Sequence, residues 1–205
     1  MSGLQERTGS LTFLNIKEGN LVVKQTDGTL KAYRSIGGKI GKISFVKETY
    51  EGKEYEKAKI YINANGDGFL LQMRTDSGYF RGFCNSLRSS NDPAGEVEIS
   101  PSYKKEADKF PQTTCFVSQN EKPLKHAFTK DNPGDFPALK IIESGNKKFY
   151  DNTEQIEYWK KWLLETFGAY TEPEQPSSAT SGETGTAYFN PAVTTINEPL
   201  DDLPF

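Results

Sequence analysis

Cysteine, histidine and long apolar stretches are scarce in this sequence, and each scarcity excludes a class of protein. The 205 residues include two cysteines, Cys84 and Cys115, and one histidine, His126. These are too few for a disulfide framework or a four-ligand zinc site, so we expect free thiols, no metal and no other cofactor. No apolar run approaches the roughly 18 residues of a membrane span, and no signal-peptide pattern opens the chain. We therefore expect a soluble, cytoplasmic protein without membrane contacts.

Recognisable catalytic motifs are also missing. The sequence has no P-loop, no nucleophile elbow and no HExxH, and a single histidine leaves few groups for general-base work at neutral pH. The paired acids Glu96 and Glu98 have the spacing for a magnesium-dependent nuclease, but alternation on an exposed strand explains them equally well. We predict that the chain is not an enzyme.

Basic residues are absent from one end of the chain. From Thr171 to Phe205 there are six acids and no lysine or arginine, whereas residues 1–170 hold all 25 bases together with 22 acids. Because residues 171–205 are rich in Ser, Thr, Gly and Pro, they bury too little apolar surface to fold, and we predict a disordered acidic tail. Residues 1–10 read as a flexible arm. Residues 11–170 then form one domain of ordinary size.

Short β patterns separated by glycine-containing turns dominate residues 11–143. The clearest is a hairpin, in which a strand at 40–46 is followed by a turn at Glu51-Gly52 and a strand at 55–62. A single confident helix is predicted over 153–167, capped by Asp151 or Asn152 and stopped by Gly168. This order predicts a mainly β protein, an OB-fold-like Greek-key barrel with one C-terminal helix.

The predicted helix carries a pronounced apolar stripe. Its members are Ile156, Trp159, Leu163 and Phe167, with Trp162 beside them. Tryptophans at this spacing favour the face that seals the barrel, or one that meets a partner chain, over exposed stacking groups.

Two segments alternate aromatic and cationic side chains. One face of the strand at 55–62 presents Tyr55, Lys57, Lys59 and Tyr61. A second strand predicted at 79–83 presents Tyr79, Arg81 and Phe83, with Arg74 nearby in sequence. Rings offer flat surfaces on which bases stack and cations meet the adjacent phosphates, so these eight residues are the predicted nucleic-acid contacts. The alternative for a single such strand is a solvated sheet face, which tyrosine and lysine also suit.

The final five residues complete the pattern. They are Asp201, Asp202, Leu203, Pro204 and Phe205. Acids followed by Leu, Pro and Phe at the end of an acidic linker resemble the C-terminal tip of bacterial and phage single-stranded DNA-binding proteins. The resemblance covers these five residues. No other stretch aligns with that family, which is compatible with a phage origin but does not distinguish it from a cellular one. It implies an OB-fold ahead of the tail, and a tip that recruits replication or repair proteins of the polymerase, helicase, primase or nuclease class.

These features together predict a sequence-independent single-stranded DNA-binding protein that protects unpaired DNA in replication, recombination or repair. The site of action is then a bacterial cell or a phage-infected host, and a homo-oligomer is compatible with the pattern. Two alternatives remain open. One is a single-stranded RNA-binding chaperone, because an OB surface accepts either polymer. The other is an adaptor that uses its tail and binds no nucleic acid.

Overall fold

The structure, a computed structural model, describes residues 11–107, 109–144 and 147–168. The predicted arm at 1–10 and the predicted tail with its tip at 171–205 lie outside the described residues. In chain order, the elements are β1 (Thr12–Lys17), β2 (Asn20–Lys24), β3 (Leu30–Tyr33), β4 (Ile36–Tyr50), β5 (Lys53–Ala64), β6 (Asp67–Arg74), α1 (Gly78–Leu87), β7 (Glu96–Lys104), β8 (Gln112–Gln119), β9 (Lys122–Pro123), β10 (Lys140–Ser144), β11 (Lys147–Asp151) and α2 (Thr153–Phe167).

Nine of the strands form one sheet, in the order β3-β2-β1-β6-β5-β4-β7-β8-β9. Strand β1 runs parallel to β6, and the other neighbours are antiparallel. The sheet curls into a half-barrel, and in the described residues β3 and β9 are its two edges. The prediction of a mainly β protein is confirmed, whereas closure into an OB-fold barrel stays a prediction.

The hairpin predicted at the centre of the chain is confirmed as β4 and β5. The turn between the two strands lies at Glu51 and Gly52, whose φ values of 50° and 77° are in the left-handed region that a tight turn requires. On β5, Ala58, Ile60 and Ile62 are fully or almost fully buried. Because successive strand residues point to opposite faces, these three define the inner face of the sheet.

The helix α2 matches its predicted bounds. Both of its tryptophans pack against the core, Trp159 inside it and Trp162 partly buried at its edge. The carboxylate of Asp151 accepts hydrogen bonds from the backbone and hydroxyl of Thr153 at the start of the helix. Trp159 and Leu163 are buried in the hydrophobic core against the inner face. At the other end, the backbone carbonyl of Gly168 accepts a hydrogen bond of 3.2 Å from the backbone N–H of Ile43. The helix therefore closes over β4.

The strand predicted at 79–83 is wrong, because this segment lies within helix α1. The Ser77 hydroxyl accepts a hydrogen bond of 3.2 Å from the backbone N–H of Phe80 and so caps the helix. Buried apolar residues then recur at helical spacing, as Phe80, Phe83, Cys84 and Leu87. Alternation over five residues suggested a strand, but the apolar period over ten residues is that of a helix.

Both cysteines belong to this core. Cys84 on α1 and Cys115 on β8 are buried and free, as expected for the thiols. Burial raises the pKa of each thiol well above its ordinary value, which keeps both in the unreactive protonated form. Within the described parts of the chain, neither helix is long and apolar enough to cross a membrane.

Helix α1 packs unusually close to β8, and Gly82 makes the approach possible. A Cβ atom at Gly82 would lie 2.7 Å from the backbone nitrogen of Cys115, whereas one at Gly37 meets only the Val97 carbonyl, 4.0 Å away. We expect Gly82→Ala to lower the free energy of unfolding by about 1–3 kcal/mol, because neither backbone can yield freely. Gly37→Ala, the matched control, should change it by less than about 0.5 kcal/mol. Urea denaturation measures both, and equal effects would contradict the close packing.

Candidate nucleic-acid interface

The outer face of β5 carries the first predicted set of contacts. Because Ala58, Ile60 and Ile62 point into the core, the residues between them point away from both helices. These outward residues are Tyr55, Lys57, Lys59 and Tyr61, and each is partly buried. The four therefore lie in one row along a central strand of the sheet.

Arg74 on β6 joins this row. It lies in register with Lys57 on β5, so the two cations share the outer face. The guanidinium carbon of Arg74 lies 5.6 Å from the centre of the Tyr55 ring, and the Lys57 ammonium lies 5.4 Å from it. Cations at this range are attracted to the ring's electron density, which helps to hold Tyr55 in place. The structure thus brings Tyr55, Lys57 and Arg74 together.

Two carboxylates accompany these cations. Glu48 on β4 accepts a hydrogen bond of 2.8 Å from the Lys57 ammonium and one of 3.0 Å from the Tyr55 hydroxyl. The Lys57 bond is the largest cause that holds the pKa of Glu48 below its ordinary value. Asp76 accepts two hydrogen bonds from Arg74, one of them 2.9 Å long from Nε, and this pairing raises the pKa of Arg74. Any anionic ligand must therefore compete with Glu48 and Asp76.

Tyr61 occupies the other end of the row, in a small apolar environment. Its side chain lies against Gly41 and Gly68, and a Cβ atom added at either glycine would collide with it. Leu70 on β6 lies in register with both Tyr61 and Phe13 and is fully buried, although it belongs to the outer face. Phe13 on β1 is 46% exposed. It therefore offers a second ring on the same face, across Leu70 from Tyr61.

Phe13 was missed as a candidate contact, although its sequence carries a usable signal. In β1 the buried residue is Leu14, and Ile16 packs against the same core, so Phe13 falls on the opposite face. The alternation of Leu14, Ile16 and the paired Leu21 would have placed Phe13 outside. We define the aromatic–cationic face as Phe13, Tyr55, Lys57, Lys59, Tyr61 and Arg74.

The second predicted set does not form a platform. Phe83 is fully buried in the core, so its ring cannot reach a base while the chain is folded, and its assignment as a stacking residue is wrong. The Tyr79 hydroxyl accepts a hydrogen bond of 3.0 Å from the backbone N–H of Gly19. Since all three residues lie on α1, Tyr79 and Phe83 are one helical turn apart and Arg81 lies on another side.

Arg81 is nevertheless connected to the aromatic–cationic face through Asp76. Burial lowers the pKa of the Arg81 guanidinium, and the nearby Asp76 carboxylate opposes that effect. Its Nε atom is buried and has no hydrogen-bond partner within the described structure. Asp76 thus lies near two arginines, and it accepts its hydrogen bonds from Arg74.

Cations exceed carboxylates around this face. Lys59 has no ion-pair partner within 4.0 Å in the described part of the chain, whereas Lys57 is paired with Glu48 and Arg74 with Asp76. Three cations of the face, Lys57, Lys59 and Arg74, thus lie near two acids, Glu48 and Asp76. This surplus favours an anionic ligand.

The acids considered for a nuclease lie elsewhere in the sheet. Glu96 and Glu98 are exposed on β7, and the Glu98 carboxylate accepts a hydrogen bond of 2.6 Å from the Ser35 hydroxyl. Within residues 11–107, 109–144 and 147–168, no three His, Cys, Asp or Glu side chains are grouped to hold a metal ion.

The chain was compared with known proteins at three levels. No protein-family model, no curated protein and no solved structure matches it.

The Glu48 interactions predict a specific pH dependence. Because its folded-state pKa is lowered, Glu48 stabilises the fold above its ordinary pKa, and this contribution is lost as the pH falls through the lowered value. We expect Glu48→Gln to cost less than about 1 kcal/mol near neutral pH, since the pair is partly exposed to solvent. The difference from wild type should shrink as the pH falls below the ordinary carboxyl pKa. Urea unfolding across this range measures it, and a difference that grows with acidity would contradict the pairing.

Proposed function

We propose that this protein binds single-stranded DNA without sequence preference and protects it during replication, recombination or repair. The observation that carries the proposal is the aromatic–cationic face, where rings and a surplus of cations share one side of a central strand. Tyr55 and Tyr61 are six residues apart on β5, which corresponds to about 20 Å. The face is therefore long enough to meet a strand at several points.

Binding at this face needs two kinds of contact. Stacking of bases on the exposed parts of Tyr55, Tyr61 and Phe13 would contribute roughly 1–3 kcal/mol per base, and it is tolerant of sequence because every base has a flat face. Lys57, Lys59 and Arg74 would neutralise phosphates and release counterions, which makes the affinity depend on salt.

The carboxylates of Glu48 and Asp76 are the groups that phosphates must displace on binding. In the free protein Glu48 and Asp76 occupy Lys57 and Arg74, so phosphates must replace them. The cost is modest because partly exposed ion pairs contribute little stability. In the absence of ligand, the carboxylates keep the two cations beside Tyr55.

The proposal extends to the fold and to the partners. We place the curled sheet among OB-like barrels, which bind single strands on their sheet surface. The residues Asp201–Phe205 would recruit replication or repair proteins, as their resemblance to the tips of single-stranded DNA-binding proteins implies. The protein would then act in a bacterial or phage-infected cell. It holds the strand passively and performs no chemistry on it.

We predict opposite effects for the cations and for the acids of the face. Lys59→Ala should weaken oligo-dT binding and reduce the slope of log affinity against log salt by about 0.7, the value for one lost phosphate contact on a single strand. The double variant Glu48→Gln, Asp76→Asn should bind at least about threefold more tightly at low salt, because Lys57 and Arg74 lose their intramolecular competitors. Fluorescence titration without magnesium measures both effects.

Residues at the far edge of the sheet supply matched controls. Lys122→Ala on β9 and Glu121→Gln in the turn before it alter exposed charges away from the face, and neither should change binding. If oligo-U binds more tightly than oligo-dT, the protein is an RNA-binding chaperone and not a DNA-binding protein. If the full chain binds neither oligonucleotide at low salt, it is an adaptor that acts through its tail.

A further inference from the structure

Arg81 carries a partly buried charge without a direct partner. Its Nε atom is buried and accepts no solvent or hydrogen-bond contact within the described structure, and its guanidinium forms no ion pair within 4.0 Å in the described residues. Arg81 is the fourth residue of helix α1, whose first turn contains no acid. The helix dipole opposes a cation at this end of a helix, and a buried charge without a partner is costly. A carboxylate at Arg81 would relieve both costs.

The carboxylate of Asp76 lies near Arg81. Because Ser77 caps α1, Asp76 is the residue before the cap, and side chains at this position commonly pack against the fourth residue of a helix. The electrostatics agree with this placement. Burial lowers the pKa of the Arg81 guanidinium, and the charge of Asp76 opposes that effect. Asp76 is therefore placed between two arginines, Arg74 and Arg81.

In the free protein, Asp76 is bound to the other arginine. Its two oxygens accept hydrogen bonds from Nε and from a terminal nitrogen of Arg74, and two-point pairing of this kind is among the stronger ionic contacts in proteins. A phosphate that binds Arg74 has to replace both hydrogen bonds. The Asp76 side chain is 47% exposed, so core packing does not hold it in one rotamer.

We propose that Arg81 is a positioning residue for the binding of single-stranded DNA, because it takes over the Asp76 carboxylate that a phosphate displaces from Arg74. This role rests on the proposed function of the aromatic–cationic face. One ion pair is then replaced by two, Arg74 with the phosphate and Arg81 with Asp76, so the displaced carboxylate is not left beside the bound strand. Arg81 itself does not touch the strand, in contrast to the direct contact predicted from the sequence.

A double-mutant cycle on the full-length chain separates this role from a direct contact. Arg81→Gln should weaken oligo-dT binding about two- to fivefold at low salt, because Asp76 then stays on Arg74. In an Asp76→Asn background no carboxylate is displaced, so Arg81→Gln should leave the affinity unchanged. Arg81→Lys keeps the charge and should bind more tightly than Arg81→Gln.

The salt dependence gives a second readout. Removal of a phosphate contact lowers the slope of log affinity against log salt by about 0.7, whereas Arg81→Gln should leave this slope unchanged. The matched control is Arg88→Gln, which removes a cation at the other end of α1 and should not change binding. A loss of affinity in the Asp76→Asn background, or an equal loss on Arg88→Gln, would overturn the proposal.

The movement of Asp76 can be followed without nucleic acid. Arg74→Ala releases the carboxylate, so the Nε–H proton of Arg81 should shift downfield in the NMR spectrum of the full-length chain as the guanidinium becomes hydrogen-bonded to it. The signal is assigned by its loss in Arg81→Lys. The shift should be absent from the double variant Arg74→Ala, Asp76→Asn. An Arg81 signal that does not respond to Arg74→Ala would show that Asp76 does not move there.

The two experiments fail separately. If the wild-type chain binds no oligonucleotide at low salt, the proposed function is wrong and the positioning role is lost with it, whatever the NMR signal of Arg81 shows. If the chain binds oligo-dT but the cycle shows no coupling between Arg81 and Asp76, the proposed function stands and the role of Arg81 is wrong.

Discussion

The burial of one face of β4, β5 and β6 beneath α1 and α2 is the constraint on which the rest of the structure depends. Trp159 and Leu163 of α2, with Phe80 and Phe83 of α1, pack in the same core as Ile60 of β5. Since strand side chains alternate, this burial forces the residues between the core positions outwards. A slip of one residue would bury Lys57 and Lys59 and expose Ile60. The same packing that stabilises the sheet therefore also fixes the order of rings and cations on its outer face.

The aromatic–cationic face is electrostatically prepared for an anion without being fully open to one. Glu48 and Asp76 hold Lys57 and Arg74 beside the Tyr55 ring, while Lys59 adds a third cation that forms no ion pair within 4.0 Å in the described residues. On the proposed binding of single-stranded DNA, such an arrangement would exchange one set of ion pairs for another. The net free energy would then come from stacking and from released counterions, and both terms are insensitive to base sequence.

Long regular patterns could be predicted from the sequence, and short ones could not. The β4–β5 hairpin and α2 were predictable because each repeats its period over a dozen or so residues between clear stop signals. Residues 79–83 were wrongly predicted as a strand, because alternation over five residues is also compatible with a helix. The helical period is visible only in the spacing of Phe80, Phe83, Cys84 and Leu87. Phe13 was missed because the apolar residues of its segment do not alternate regularly, so the pattern did not indicate which of them face outwards. The sequence did not predict that Glu48 and Asp76 neutralise cations of the face. Only the register of β4 and β5 brings Glu48 to Tyr55 and Lys57.

The central claim is that unpaired DNA lies across the aromatic–cationic face. Photochemical crosslinking of oligo-dT to the full chain, followed by mass spectrometry of the attached peptides, tests it most directly. Phe116 on β8 serves as an internal reference, because it is 48% exposed and lies outside that face. The account predicts adducts at Tyr55, Tyr61 and Phe13 and none at Phe116. Adducts concentrated at Phe116, or spread evenly over the exposed aromatic residues, would contradict it.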